Sequence, residues 1–207
     1  MVERIIAACH DVLLERGYDA TTTNHIAERA GISPGSLYQY FPDKTAILAE
    51  VLDRYSSDLV ARMSRAFLSA LGSPTSDAVR RLVTAMLDAY EENPGLLRVL
   101  VEQIPRSPDS ARAVFARRMD DMLTTAILAQ PGQHPDRPAD VAAWLVVRTV
   151  EHVTISWILE RSGHDRSVLI DELTALIVGY LDGARSRAGE APPPARRTPE
   201  PWGPSSG

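Results

Sequence analysis

Three observations predict an all-α fold. Apolar residues recur at spacings of three and four along almost the whole of the 207-residue chain, the period of a helix with one buried face. No stretch sustains the alternation of β-branched residues between turns that a strand needs. The breaks between periodic runs carry glycines and prolines that stop helices: Gly72-Ser73-Pro74, Asn93-Pro94-Gly95, residues 105–108 and 131–138, and Ser162-Gly163. Hydrophobic residues make up 44% of the chain and charged residues 24%, the composition of a soluble globular protein and not of a disordered or fibrous one.

The elements follow in order. Ile5, Ile6, Cys9, Val12 and Leu13 form the buried face of a first helix that Gly17 can close. Thr22 is placed to cap a short helix over 23–30, with Ile26 and Ala27 inward and Gly31 ending it. Ser33 caps the next, Pro34 suits its first position, Leu37 and Phe41 supply its buried side, and Pro42 stops it. Asp43 then caps a long helix over 44–71, and further helices are expected over 76–93, 94–104, 109–129, 139–161 and 167–187. Past 187 the chain turns proline-rich, with Pro192-Pro193-Pro194, and is expected to be a disordered tail. The domains expected are therefore 1–45, 46–187 and a tail over 188–207.

Composition excludes several classes. The single cysteine, Cys9, forms neither an internal disulfide nor a cysteine-based metal site, so a cytoplasmic location is expected. The N-terminus lacks the long apolar run of a signal peptide. The most apolar stretch, 141–159, holds Arg148, Glu151 and His152, charges too costly at mid-bilayer depth, and reads as a buried helix with no membrane partner. The five histidines are scattered, and no nucleophile motif or phosphate-binding glycine loop occurs, so neither an enzyme nor a cofactor or metal is expected. The formal net charge is −5, which argues against gripping nucleic acid by bulk electrostatics. Even residues 1–55 carry Arg4, Arg16, Arg29, Lys44 and Arg54 against Glu3, Asp11, Glu15, Asp19, Glu28, Asp43, Glu50 and Asp53.

Function then rests on geometry in one segment, TTTNHIAERAGISPGSLYQYFPDK, from Thr21 to Lys44. Two short helices joined by a glycine turn make a helix-turn-helix, whose second helix lies in the major groove. Gly35 lets backbone approach DNA closely at the helix start, where amides and dipole favour a phosphate. Ser36, Gln39 and Tyr40 complete the exposed side. A Gln amide can bond an adenine edge through both ends, while Ser and Tyr hydroxyls suit phosphates. Lys44 adds charge at the flank. Tyr38 equally suits packing between helices with its hydroxyl exposed.

The block from Ile26 to Tyr38, IAERAGISPGSLY, with Tyr40-Phe41-Pro42-Asp43-Lys44, resembles the signature of the TetR family of bacterial regulators. The resemblance implies that Thr23 and Asn24 open the supporting helix at the DNA and that Ser33, Pro34, Gly35 and Ser36 begin recognition. Tyr38, Tyr40 and Lys44 would hold phosphates, and Asn24, Gly35, Ser36 and Gln39 would read bases. Two positions depart from the family pattern. His25 stands where an acidic residue commonly completes a capping box with Thr22, which weakens that helix start. Tyr40 stands where His is frequent; both can donate to a phosphate.

The resemblance further implies a homodimer that binds a palindromic double-stranded operator as a repressor and is released by a small, partly hydrophobic effector. An activator, or a helical module that contacts protein instead of DNA, is the alternative. The last two long helices would pair across the twofold axis. On the second of them Leu169, Leu173, Leu176, Ile177 and Tyr180 make an apolar face, and Gly179 and Gly183 permit close approach. Polar groups set among apolar ones mark candidate effector contacts: Arg148, His152 and Trp144 on 139–161, although Arg148 and Glu151 can pair with each other. Met86, Tyr90, Gln103, Phe115, Met119, Met122 and Trp157 complete the candidate pocket, and most of these equally suit a plain core.

Overall fold

The computed structural model describes residues 1–103, 110–129, 138–160 and 162–188. The turns expected around 105–108 and 131–137 and the tail after 188 lie outside them. Every regular element among the described residues is helical. The order is α1 (Val2–Ala20), α2 (Thr23–Arg29), α3 (Pro34–Tyr38), α4 (Lys44–Ala70), α5 (Thr75–Glu92), α6 (Pro94–Arg98), α7 (Ala111–Leu128), α8 (Ala139–Glu160) and α9 (Arg166–Ala188). A single π-helical turn, Val99–Gln103, follows α6, where one continuous α-helix over 94–104 is the expectation.

The first three helices and the start of α4 enclose one small core. Ile5, Ile6, Cys9 and Leu13 of α1 meet Ile26 and Ala27 of α2, Leu37 of α3 and Ile47, Leu48 and Val51 of α4, all buried. Hydrophobic burial here orients elements too short to be stable alone. The three expected side-chain caps form: Thr22 Oγ1 accepts from His25 N–H at 3.2 Å, Ser33 Oγ from Ser36 N–H at 3.1 Å, and Asp43 Oδ1 from Ala46 N–H at 2.9 Å. Gly17 has φ of 76° and ψ of 174°, the positive φ expected, and it interrupts α1 where the sequence places the end of the first helix, with a short helical turn running on to Ala20. Thr21, fully buried, donates its hydroxyl to the Gly17 carbonyl at 2.7 Å, giving a partner to an acceptor at the interruption.

The larger part is a helical bundle. α4 packs on α5 and α7, α7 on α8, and α5 on α9. Ser56 of α4 donates to the Ala111 carbonyl at the start of α7 at 2.9 Å. The apolar surface of α9 is divided in two, contrary to the single dimer face expected. Leu173 and Ile177 are buried within the subunit against Val79, Val83 and Leu87 of α5, and Leu169 packs on the same cluster. They are removed from any dimer face because the helical period that aligns them also aims them at α5. Leu176 points outward at 57% exposure; Gly179 is exposed, Tyr180 is half-buried, and Gly183 lies where only backbone is described.

Candidate DNA-reading surface and apolar chamber

The caps at Thr22 and Ser33 set two short helices across one turn, and the outer side of that pair is polar. Asn24, Ser33, Pro34, Gly35, Tyr38, Gln39 and Tyr40 are exposed, while Thr23 and Ser36 are half-buried. Tyr38 Oη and Thr23 Oγ1 share a hydrogen bond of 3.0 Å, so the tyrosine both ties α3 to α2 and keeps half its surface in solvent. Ser33 Oγ and Ser36 Oγ share another at 2.9 Å. A Cβ added at Gly35 would meet only Ser33 Oγ, at 3.9 Å. The fold itself therefore tolerates a side chain there, and the glycine leaves open surface at the start of α3. Lys44 is less free than its flanking position suggests. Its Nζ donates to the Tyr18 carbonyl at 3.1 Å and sits 4.6 Å from the Tyr18 ring centroid, a cation–π geometry.

Electrostatics at this end are largely internal. Arg29 pairs with Glu15 and, at 3.7 Å, with Asp11; Arg54 pairs with Glu3 and, at 3.0 Å, with Glu50. Hydrogen bonds from these guanidiniums hold the Glu15 and Glu3 carboxyls below the usual carboxylate range. Among the described residues of this part, Arg4, Arg16 and Lys44 make no ion pair. The surface offers hydroxyls, the carboxamides of Asn24 and Gln39 and helix-start amides in place of a cationic patch, the chemistry of edge and phosphate hydrogen bonding.

Deeper in the bundle, α4, α5, α7, α8 and α9 enclose a chamber of about 90 Å³. Met63 and Phe67 of α4, Met86 of α5, Met119 and Met122 of α7 and Val147 of α8 line it, and its remaining lining is Leu, Val and Ile. Of the candidate effector residues, Met86, Met119 and Met122 meet here. Phe67 and Met63 were not legible in advance, since their spacing is that of any core helix face. Tyr90 and Phe115 border a separate void of only about 10 Å³ beside Arg112 and Glu151. Burial raises the Tyr90 hydroxyl well above the usual tyrosine range, with Glu151 adding to it. Gln103 sits on the π turn with a buried, unbonded Oε1.

The polar residues of α8 do not enter the chamber. Glu151 is buried and accepts from Arg112 Nε at 2.7 Å, and Arg148 donates to Asp120 at 2.8 Å while lying 3.6 Å from Glu151. The Arg148–Glu151 pairing thus exists inside a four-residue network between α7 and α8. Burial raises the Asp120 carboxyl despite Arg148 beside it. Trp157 lines a surface cleft and donates its indole N–H to the His164 carbonyl at 3.0 Å. Trp144 and His152 face solvent. They share no cavity with the methionines, because their positions on α8 lie on the side turned away from α5 and α7.

A helix-turn-helix carried on a larger helical bundle with an internal apolar chamber defines a DNA-binding transcriptional regulator. Residues 5–51 match the family model described as bacterial regulatory proteins, tetR family, and residues 74–181 match the one described as tetracyclin repressor-like, C-terminal domain. The chain belongs to the TetR family. It is 26% identical over 189 residues to the transcriptional repressor KstR of Mycobacterium tuberculosis, covering 88% of this chain and 82% of that protein. It is 32% identical over 91 residues to the nucleoid occlusion factor SlmA of Haemophilus influenzae. That alignment covers 44% of this chain and spans only 41% of SlmA's length. Two solved structures share the fold. The fatty acid degradation regulator FadR of Bacillus halodurans aligns with a TM-score of 0.68 at 19% identity, over 86% of this chain and 94% of that one. FadR of Bacillus subtilis in complex with stearoyl-CoA aligns at 0.66 and 19%, over 86% and 98%.

Proposed function

We propose that the protein is a cytoplasmic homodimeric repressor that reads a palindromic operator with α2 and α3 and releases it when a hydrophobic effector occupies the apolar chamber. The observation that carries this reading is the continuity of α4, which runs unbroken from the cap at Asp43, beside the reading helix, to Met63 and Phe67 in the chamber wall. A ligand that fits one placement of α4 better than another shifts the reading heads, and a coupling of about 1–3 kcal/mol weakens operator binding about 5–150-fold. KstR is named as a repressor, and the FadR structure with stearoyl-CoA sets a hydrophobic ligand in a protein of this fold.

The dimer face proposed is the outward side of α8 and α9. Val141, Trp144 and Leu145 of α8 and Leu176 of α9 are exposed large apolar residues, with Gly179 open beside them. Exposed apolar patches of this kind mark association surfaces. Trp144, expected at the effector, is assigned here instead. The proposed base readers are Asn24, Gly35, Ser36 and Gln39, and the proposed phosphate contacts are Thr23, Ser33, Pro34, Tyr38, Tyr40 and Lys44. A gel-shift titration against the promoter beside the gene, with and without hydrophobic ligands, tests the whole. Protection of no palindrome, or affinity unchanged across a ligand library, would overturn the operator reading and the release reading respectively.

A further inference from the structure

We propose that the apolar chamber is the inner half of a tunnel that takes one unbranched alkyl chain, tail first, from a mouth at the turn between α4 and α5, with Leu82 and Met122 setting the chain length it accepts. This rests on the effector reading above and names the class of ligand.

A second cavity of about 120 Å³ adjoins the chamber and shares Phe67, Val79, Leu82, Leu123 and Leu181 with it. It reaches the turn at Leu71, Gly72 and Ser73 and the first residue of α5, Thr75. From Thr75 to Met86 at the inner end, α5 rises about 16 Å. The path is therefore long, yet each half is small beside the roughly 300–1,000 Å³ of pockets for compact drug-sized ligands. Two small cavities end to end along about 16 Å of α5 suit a chain better than a compact fused ring system.

The chemistry of the walls agrees. The inner half is lined by Met, Phe, Leu, Val and Ile alone, so a ligand group buried there must need no hydrogen-bond partner. Polar side chains enter the lining only in the outer half, at Ser73, Thr75 and Asp182. An amphiphile thus leaves its head at the turn and sends its tail inward. Large apolar residues crowd the same end, with Leu68, Leu71 and Leu128 exposed at 65%, 62% and 68%. Unbranched, flexible methionines at the inner end can yield to a methylene chain at little cost.

Thermal-shift and isothermal titration of the full-length protein with octanoate, dodecanoate, hexadecanoate and the matching coenzyme A thioesters tests this. Affinity should rise about fifteenfold for each two methylenes added until the tunnel is full, the increment expected for burying methylene groups. Acids and thioesters should show the same chain-length dependence, because the head stays outside; exclusion of the thioesters would overturn the open mouth. Leu82→Trp, at the junction of the two halves, should keep octanoate binding and lose at least tenfold for hexadecanoate. Met122→Trp should shorten the preferred chain less severely, and operator affinity without ligand checks that either variant is folded. Binding of no chain, or a length profile unchanged in both variants, would overturn the proposal. Chain binding that leaves operator affinity untouched would instead uphold the ligand class and remove the release mechanism.

Discussion

Raising salt is the perturbation that most directly tests how this protein holds DNA. Arg29 and Arg54 are held by Glu15, Asp11, Glu3 and Glu50, whereas Lys44, on the Tyr18 carbonyl, pairs with no carboxylate. Of the three without an ion pair, Lys44 is the proposed phosphate contact; counting it with at most one of Arg4 and Arg16 gives one or two cations per subunit on phosphates, hence about two to four in a dimer. Each phosphate neutralised contributes about −0.9 to the slope of log K against log salt. Between 50 and 200 mM salt, operator affinity should therefore fall about tenfold to about 150-fold, against 10³–10⁵ for proteins with six to ten phosphate contacts. Fluorescence anisotropy with labelled operator over that range gives the slope. Lys44→Ala should flatten it by about two units, one for each subunit. A slope of −6 or steeper would refute the reasoning, since it would require cations that the structure shows engaged with carboxylates to leave them.

Four further outcomes are expected. Asp43→Ala removes the cap of α4 and should cost about 1 kcal/mol of stability by urea unfolding. Glu151→Ala strands Arg112 and leaves Arg148 with Asp120 alone; the loss should be near 3 kcal/mol, the low end for breaking a buried pair, because both arginines keep partial solvent access. Trp144→Glu combined with Leu176→Glu should turn the proposed dimer into monomers in sedimentation velocity, without loss of helical content by circular dichroism. Burial pushes the Cys9 thiol up to about 12, with Lys44 opposing, so a thiol reagent at pH 8 should label it only as fast as the chain unfolds.

What the sequence made legible was what short-range chemistry decides. Ser33, Pro34 and Asp43 announce helix starts because a capping bond spans three residues, and the structure forms those bonds where the spacing puts them. Gly17 is legible as the positive-φ residue that interrupts α1, whereas the turn that runs on to Ala20 and the Thr21 hydroxyl on its carbonyl are not. The helical period gave α9 an apolar surface without saying which neighbour covers it, so Leu173 and Ile177 were grouped with Leu176 although α5 buries the first two. Among the polar residues of α8, Glu151 reads as an interruption until its partner Arg112 is found 39 residues away. The chamber was half legible for the same reason: Met86, Met119 and Met122 stood out by residue type, whereas Phe67 and Val147 line it only because five helices converge there.

The sparse charge of the reading surface and the apolar chamber belong to one physical argument. Phosphate contacts hold any sequence and respond weakly to small changes in the spacing of two heads, because every turn of duplex offers phosphates. The base-edge contacts proposed for Gln39 and Ser36 require each head to sit in register with its half-site. A protein that spends its arginines on its own carboxylates shifts the balance of its operator affinity toward the second kind. In the proposed mechanism a displacement of α4 by a ligand at Met63 and Phe67 then acts on the larger share of that affinity. A coupling of 1–3 kcal/mol is enough to release such a head, whereas a strongly cationic one would stay on the DNA out of register.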